Sequence, residues 1–130
     1  MPEYFRADGY STHLFGKWHL GFCKDEYLPA NRGFDTFQGF MNGQIDNYSH
    51  KVGAHVDYFY NSSLYSSFKN CQYDFTEEAI KTARLSQNSK PFFTFLSYST
   101  PHLPLQSRVI FSLANRKNEN NPSHSEVKSM

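Results

Sequence analysis

The sequence predicts an α/β fold, a portion of a mainly parallel sheet flanked by helices. Three observations lead there. An amphipathic stretch at residues 75–87 runs into the apolar segment Phe92-Phe93-Thr94-Phe95-Leu96-Ser97-Tyr98, and a helix followed by a buried strand is half of a crossover unit. Residues 10–15 are rich in Tyr, Thr and Phe, the composition of another strand. Both strands lead into segments with anion-capable side chains, Lys17 and His19 after one and His102 after the other. In open α/β sheets, ligands gather beyond the carboxyl ends of strands.

The elements follow in chain order. Residues 3–9 read as the end of a helix stopped at Gly9, a residue suited to the position after a helix. The strand at 10–15 follows. Gly16 and Gly21 bracket Lys17 and His19 and permit backbone conformations that other residues resist. Pro29 and Gly33 mark a loop. In Arg32-Gly33-Phe34-Asp35-Thr36-Phe37-Gln38-Gly39-Phe40, aromatic residues alternate with small or polar ones, and Phe34, Phe37 and Phe40 are expected to pack inward.

Residues 44–73 show no sustained period and read as a long irregular excursion with a short strand at Val56–Tyr60. The helix at 75–87 has Thr76 as its expected N-cap, Glu77 and Glu78 near its positive end, and Phe75, Ala79, Ile80 and Ala83 as its apolar stripe. Phe92–Tyr98 is short and continuously apolar, as in a strand covered on both faces. The segment Asn115-Arg116-Lys117-Asn118-Glu119-Asn120-Asn121-Pro122-Ser123 is polar and aperiodic, so residues 107–130 are expected to form a disordered tail.

A chain of 130 residues is enough for one domain, and its formal charge of +1 provides no bulk field towards nucleic acid or an anionic membrane. Arg32-Gly33-Phe34 begins like an RNA-binding aromatic strand, but Asp35 stands where Gly or Ala is needed. Nucleic acid is therefore not an expected partner. No run approaches the roughly 18 apolar residues of a membrane span, and residues 1–20 lack the pattern of a signal peptide. Thirteen Phe, nine Tyr and one Trp supply core or pocket material.

Cys23 and Cys71 form no disulfide framework, and their spacing leaves pairing open. His13, His19, Cys23, His50, His55 and Cys71 lack the tight paired spacing of a zinc module. Asn47-Tyr48-Ser49 and Asn61-Ser62-Ser63 are possible glycosylation sequons.

The candidate site begins with Lys17 and His19. Alternate residues of an extended segment point the same way, so the two are expected to face one spot as an anion clamp for sulfate, phosphate or carboxylate. Lys17 provides a fixed charge, and His19 can exchange a proton near neutral pH. His13 is read as structural.

The run Gly9-Tyr10-Ser11-Thr12-His13-Leu14-Phe15-Gly16-Lys17-Trp18-His19-Leu20-Gly21 resembles the second signature of the sulfatase family. Further blocks agree in order and approximate spacing: Leu28-Pro29 with Arg32-Gly33-Phe34-Asp35, then Phe40 through His50, then Lys90–Tyr98 followed by Pro101-His102 and Pro104-Leu105-Gln106. The last two look like the arylsulfatase B branch. The likeness covers about residues 3–106. It implies a partial alkaline-phosphatase-like sheet, with residues 1–106 as part of a catalytic domain that hydrolyses sulfate esters such as those of glycosaminoglycans.

By that resemblance, Lys17 would bind sulfate and help hold the nucleophile, His19 would support the nucleophile and its later collapse, and His102 would contact sulfate and help protonate the leaving oxygen. The family uses a formylglycine made within Cys/Ser-x-Pro-x-Arg and a divalent ion, usually calcium. This sequence contains neither that motif nor the family's paired metal-binding aspartates, so the chain alone is expected to be inactive. Its implied partners are sulfated small molecules or glycans, its implied compartment the lysosome or the exterior. A non-catalytic protein binding sulfated glycans or another chain is the alternative.

Overall fold

A computed structural model describes residues 1–86 and 89–106. The expected tail at 107–130 lies outside the described residues. Helix α1 (Pro2–Ala7) ends before Gly9, whose φ of +85° turns the chain into strand β1 (Ser11–Lys17). Two 3-10 turns, Asp25–Tyr27 and Pro29–Arg32, occupy the expected loop, and Gly33 closes the second. Strand β2 (Thr36–Phe40) lies parallel to β1. The aromatic alternation at 34–40 is thus a strand with its approach, and Phe34, Phe37 and Phe40 are all buried.

The excursion at 44–73 contains two small antiparallel pairs. Strands β3 (Lys51–Val52) and β4 (His55–Val56) form one, and β5 (Phe59–Tyr60) and β6 (Ser63–Leu64) form the other. Strand β5 pairs with β2. The expected strand at Val56–Tyr60 is therefore divided between two sheets. Asp57 sits between them because its carboxylate accepts the Met41 and Asn42 N–H groups, both at 2.9 Å.

Helix α2 (Cys71–Leu85) begins earlier than residue 75. Asn70 caps it, accepting the Gln72 N–H at 3.0 Å, and Asn is among the strongest N-cap residues. Thr76 lies inside the helix and donates to the Gln72 carbonyl at 2.7 Å. The inward stripe is Cys71, Phe75 and Ala79, successive positions four apart on one helix face. Ile80, expected on that stripe, is 46% exposed because it lies about 100° further around the helix.

Strand β7 (Phe92–Ser97) completes a five-stranded sheet of order β6-β5-β2-β1-β7. It runs parallel to β1. Both faces of β7 carry packing, Phe93 beneath Phe5 of α1 and Leu96 against the α2 cluster, but the cover is incomplete: among the described residues β7 is the outermost strand, and Phe92 and Phe95 are exposed. A short apolar run identifies a strand but not its place in the sheet.

Apolar clusters occupy both sides of the sheet. Phe15, Phe40, Ile45 and Tyr58 pack with Cys71 and Phe75 of α2. Leu14, Trp18, Phe34, Phe37 and Met41 form the opposite cluster, joined by Phe93. On that side Phe5 of α1 stacks on Phe93 at a centroid distance of 4.4 Å. Full burial of an aromatic side chain such as Phe75 contributes roughly 1.5–3 kcal/mol. No helix among the described residues is long and apolar enough to cross a membrane.

Candidate functional site

Parallel pairing makes β1 and β7 finish at the same end of the sheet. Gly16 is in register with Ser97. Their backbones meet so closely that a Cβ on Gly16 would overlap the Ser97 carbonyl oxygen, and Gly16 also has φ +119°. Lys17 ends β1, His19 follows two residues later, and His102 follows the end of β7.

Simple alternation does not continue through Lys17 and His19. Strand β1 stops at Lys17, and His19 adopts a left-handed φ of +52°. Such a value is uncommon for a side-chain-bearing residue. The chain is held there by the Trp18 N–H to the Phe40 carbonyl at 2.9 Å and the His19 N–H to the Met41 carbonyl at 3.1 Å. The Trp18 indole N–H bridges the Gly21 and Tyr27 carbonyls at 2.9 and 3.0 Å, tying down the loop beyond.

Lys17 lines a cleft of about 280 Å³ with Trp18, Leu20, Arg32, Phe34 and Phe95. The His19 ring instead lies over Gly43, where an added Cβ would stand 2.8 Å from the ring's Cε1. Sequence reasoning missed Gly43, since one glycine in an irregular stretch carries no visible spacing signal. It equally missed Asp57, which fixes the Met41-Asn42 backbone beside that glycine.

His102 is exposed. Its Nδ1 lies 2.8 Å from the Leu103 carbonyl. A carbonyl only accepts, so Nδ1 carries the hydrogen and Nε2 is the atom free to gain or release a proton. The His102 N–H donates to the Ser99 carbonyl at 2.9 Å. Among the described residues, neither Lys17 nor His19 has a side-chain hydrogen bond or ion pair, so none joins either to His102.

A buried polar junction supports the His102 segment. Asn47 Oδ1 accepts from Ser99 Oγ at 3.1 Å, Gln72 Nε2 at 2.9 Å and Cys71 Sγ at 3.3 Å. Gln72 also donates to Ser99 Oγ. Gln106 closes the far end, receiving the Asn47 N–H at 2.7 Å and donating to Asp46 at 2.6 Å. Asp46 is held down to about 2, chiefly by the Ser49 N–H, with Gln106, the Ser49 hydroxyl and the Tyr48 N–H adding to it against a smaller cost of burial.

These contacts separate the two sequons. Asn47 is 1% exposed, with its Oδ1 accepting from Gln72 and Ser99. Asn61 is exposed, with its Oδ1 receiving the Phe37 N–H at 2.9 Å. Cys23 and Cys71 are both free thiols, one exposed and one buried. His13 stacks on Phe15, and burial lowers its pKa against the opposing pull of Asp35.

The divalent ion implied by the resemblance needs several converging oxygen ligands. Among the described residues, no group of three or more His, Cys, Asp or Glu side chains converges in a way that could hold a metal. The residues present do not fit such an ion, and no chemical step is routed through one.

A family model described as Sulfatase matches residues 1–126. Arylsulfatase J of Mus musculus is 34% identical over 115 residues, covering 82% of this chain and 19% of that protein. The arylsulfatase of Klebsiella aerogenes is 30% identical, covering 82% and 25%. N-acetylgalactosamine-6-sulfatase of Homo sapiens is 24% identical, covering 85% and 23%. The chain thus spans about a fifth to a quarter of the length of these relatives. Among solved structures, that of Ps i-CgsB superposes with a TM-score of 0.81 at 22% identity, over 92% of this chain and 30% of the other. At that identity the superposition speaks for the fold alone.

Proposed function

The chain belongs to the sulfatase family, and from that premise we propose that it contributes Lys17, His19 and His102 to a sulfate-ester site at the carboxyl end of β1 and β7. One observation carries the reading: β1 and β7 are parallel neighbours with Gly16 opposite Ser97. Two segments distant in sequence therefore leave the sheet side by side, one towards Lys17 and His19, the other towards His102.

In this reading Lys17 offsets the charge on sulfate oxygens, as a fixed cation does for an oxyanion. His19, held over Gly43, supports the nucleophile by hydrogen bonding and proton exchange. His102 contacts sulfate and delivers a proton from Nε2 to the departing ester oxygen. The substrates are sulfated glycans, in keeping with the name of the N-acetylgalactosamine-6-sulfatase relatives, and the compartment is lysosomal or extracellular. Residues 1–106 are the part of the catalytic domain that carries these groups.

The 130 residues contain no Cys/Ser-x-Pro-x-Arg from which the family's nucleophile could be made. The isolated chain therefore binds sulfate esters without hydrolysing them. The second reading is a non-catalytic sulfatase-like protein that holds sulfated glycans or a partner chain.

Calorimetric titration with a sulfated N-acetylgalactosamine, alongside a 4-nitrophenyl sulfate assay, tests the proposal. Weak binding lost in Lys17→Ala and His102→Ala, without turnover, is expected. Binding indifferent to both substitutions would remove the proposed site, and turnover by the purified chain would remove its assignment as inactive.

A further inference from the structure

Asp57 is buried, and among the described residues it makes no ion pair. Burying a carboxylate is costly unless hydrogen bonds replace its water. Three do so here. Oδ1 accepts the Met41 N–H at 2.9 Å, and Oδ2 accepts the Asn42 N–H at 2.9 Å and Asn42 Nδ2 at 2.8 Å.

The two backbone donors are consecutive. Extended chain turns successive N–H groups to opposite sides. Here both turn to one carboxylate, as successive N–H groups do around a bound anion. The carbonyl ends of the same two peptide groups are also engaged. The Phe40 carbonyl, in the peptide whose N–H belongs to Met41, accepts the Trp18 N–H at 2.9 Å. The Met41 carbonyl, in the peptide whose N–H belongs to Asn42, accepts the His19 N–H at 3.1 Å. Two peptide groups thus stand side by side between Asp57 and the Trp18-His19 backbone, and hydrogen bonds in such a chain polarise one another.

The relay ends at a strained residue. His19 has φ +52°, a conformation that persists only where the surroundings over-determine it. Its ring has no hydrogen bond or ion pair to hold it. The restraints are the backbone bond to Met41 and the seat on Gly43, where an added Cβ would stand 2.8 Å from Cε1 and 2.9 Å from Nε2. Gly43 directly follows Asn42, so the carboxylate that sets the bond also sets the seat. A neutral amide would not serve equally: Asn offers one acceptor oxygen and turns its NH2 towards one of the two N–H groups.

We propose that Asp57 is a positioning residue for the sulfate-ester site, fixing His19 in its left-handed conformation through the Phe40–Met41 and Met41–Asn42 peptide groups, with the imidazole over Gly43. Asp57 lies between β4 and β5, so a segment that carries no group of the site governs where one of those groups stands. The inference rests on the assignment of Lys17 and His19 to that site.

Nuclear magnetic resonance of the full chain, titrated with sodium sulfate, tests this. In wild type, His19 Hε1 should show a through-space contact to the Gly43 Hα protons, and sulfate should shift the Lys17 and His19 side-chain resonances. In Asp57→Asn the His19–Gly43 contact and the His19 shift should be lost while the Lys17 shift remains. Gly43→Ala leaves the carboxylate in place and displaces only the ring, so it should produce the same selective loss. A folded Asp57→Asn chain that keeps the contact, or that loses the Lys17 and His19 responses together, would overturn the proposal and leave the site standing. A wild-type chain whose Lys17 and His19 ignore sulfate would instead remove the site, and the role of Asp57 with it. Cross-hydrogen-bond couplings in the wild-type chain decide the matter even if the variants do not fold. They should join the Met41 and Asn42 amides to Asp57 Cγ and the His19 amide to the Met41 carbonyl carbon, and their absence would overturn the relay.

Discussion

Gln106 grips Asp46 and its neighbour with both ends of one carboxamide: Nε2 lies 2.6 Å from Asp46 Oδ2, and Oε1 receives the Asn47 N–H at 2.7 Å. Sixty residues of chain are closed by that clasp, and the His102 turn lies within it. Gln106→Ala removes both bonds. We expect a loss of about 1–2 kcal/mol in urea unfolding, with faster proteolysis between Thr100 and Leu105. An unchanged cleavage rate would show that the clasp does not hold the turn.

The same clasp has a pH dependence. Asp46 is held at about 2, below its ordinary 3.8, so its contribution to stability is complete above about pH 4 and is lost as pH falls through 2. Asp46→Asn should flatten the acid limb of a denaturation midpoint plotted against pH. A mutant curve parallel to wild type between pH 4 and 2 would assign the acid sensitivity elsewhere.

Gly16→Ala should be among the most damaging single changes. The new methyl would overlap the Ser97 carbonyl oxygen on rigid backbone, at a residue whose φ is +119°. Overpacking alone costs about 1–3 kcal/mol, and the unfavourable φ adds to it. Circular dichroism and thermal melting of the soluble fraction check this. A variant melting within a few degrees of wild type would mean that β1 and β7 are not so closely apposed.

The two thiols should differ sharply towards an aromatic disulfide reagent. Cys71 is fully buried, and burial pushes its thiol up to about 12 despite the opposing Gln72 hydrogen bond. Cys23 is exposed. The native chain should titrate one thiol at pH 8 and the denatured chain two, because the thiolate is the reacting form. Two fast-reacting thiols in the native chain would contradict the packing around Phe75.

The division between what was legible in the residues and what was not follows the range of the interactions. The strand before Lys17, the aromatic positions 34, 37 and 40, and the helix leading into Phe92 are written in local composition and period. The helix start at Asn70 was obscured because Thr76 is also a good cap and only tertiary contacts with Asn47 decide between them. That β7 is outermost among the described strands was not legible, since apolar runs look alike at the centre and rim of a sheet. At the site, the residue types at 17, 19 and 102 were legible through the resemblance. The left-handed turn at His19 and its seat on Gly43 were not, because both depend on what β2 does next.

His50 offers a test of how tightly the excursion at 44–73 is tied to the sheet. Its ring stacks on Tyr58 at 4.4 Å, and its Nε2 lies 3.0 Å from the Lys69 carbonyl, to which it donates. Burial lowers the His50 pKa below 6.5, outweighing the hydrogen bond to Lys69 and the attraction of Asp74 and Asp46, which act to raise it. His13 shifts in the same direction. The unfolded chain then binds protons at 6.5 that the folded chain still refuses. Stability should be flat above about pH 7 and fall as pH drops through 6.5, until the folded-state pKa is reached. In urea titrations from pH 8 to 5, His50→Gln should lower the midpoint throughout and reduce its slope against pH, leaving the His13 contribution. A mutant with the wild-type slope would mean that His50 titrates alike in both states, which the stacked, buried ring does not allow.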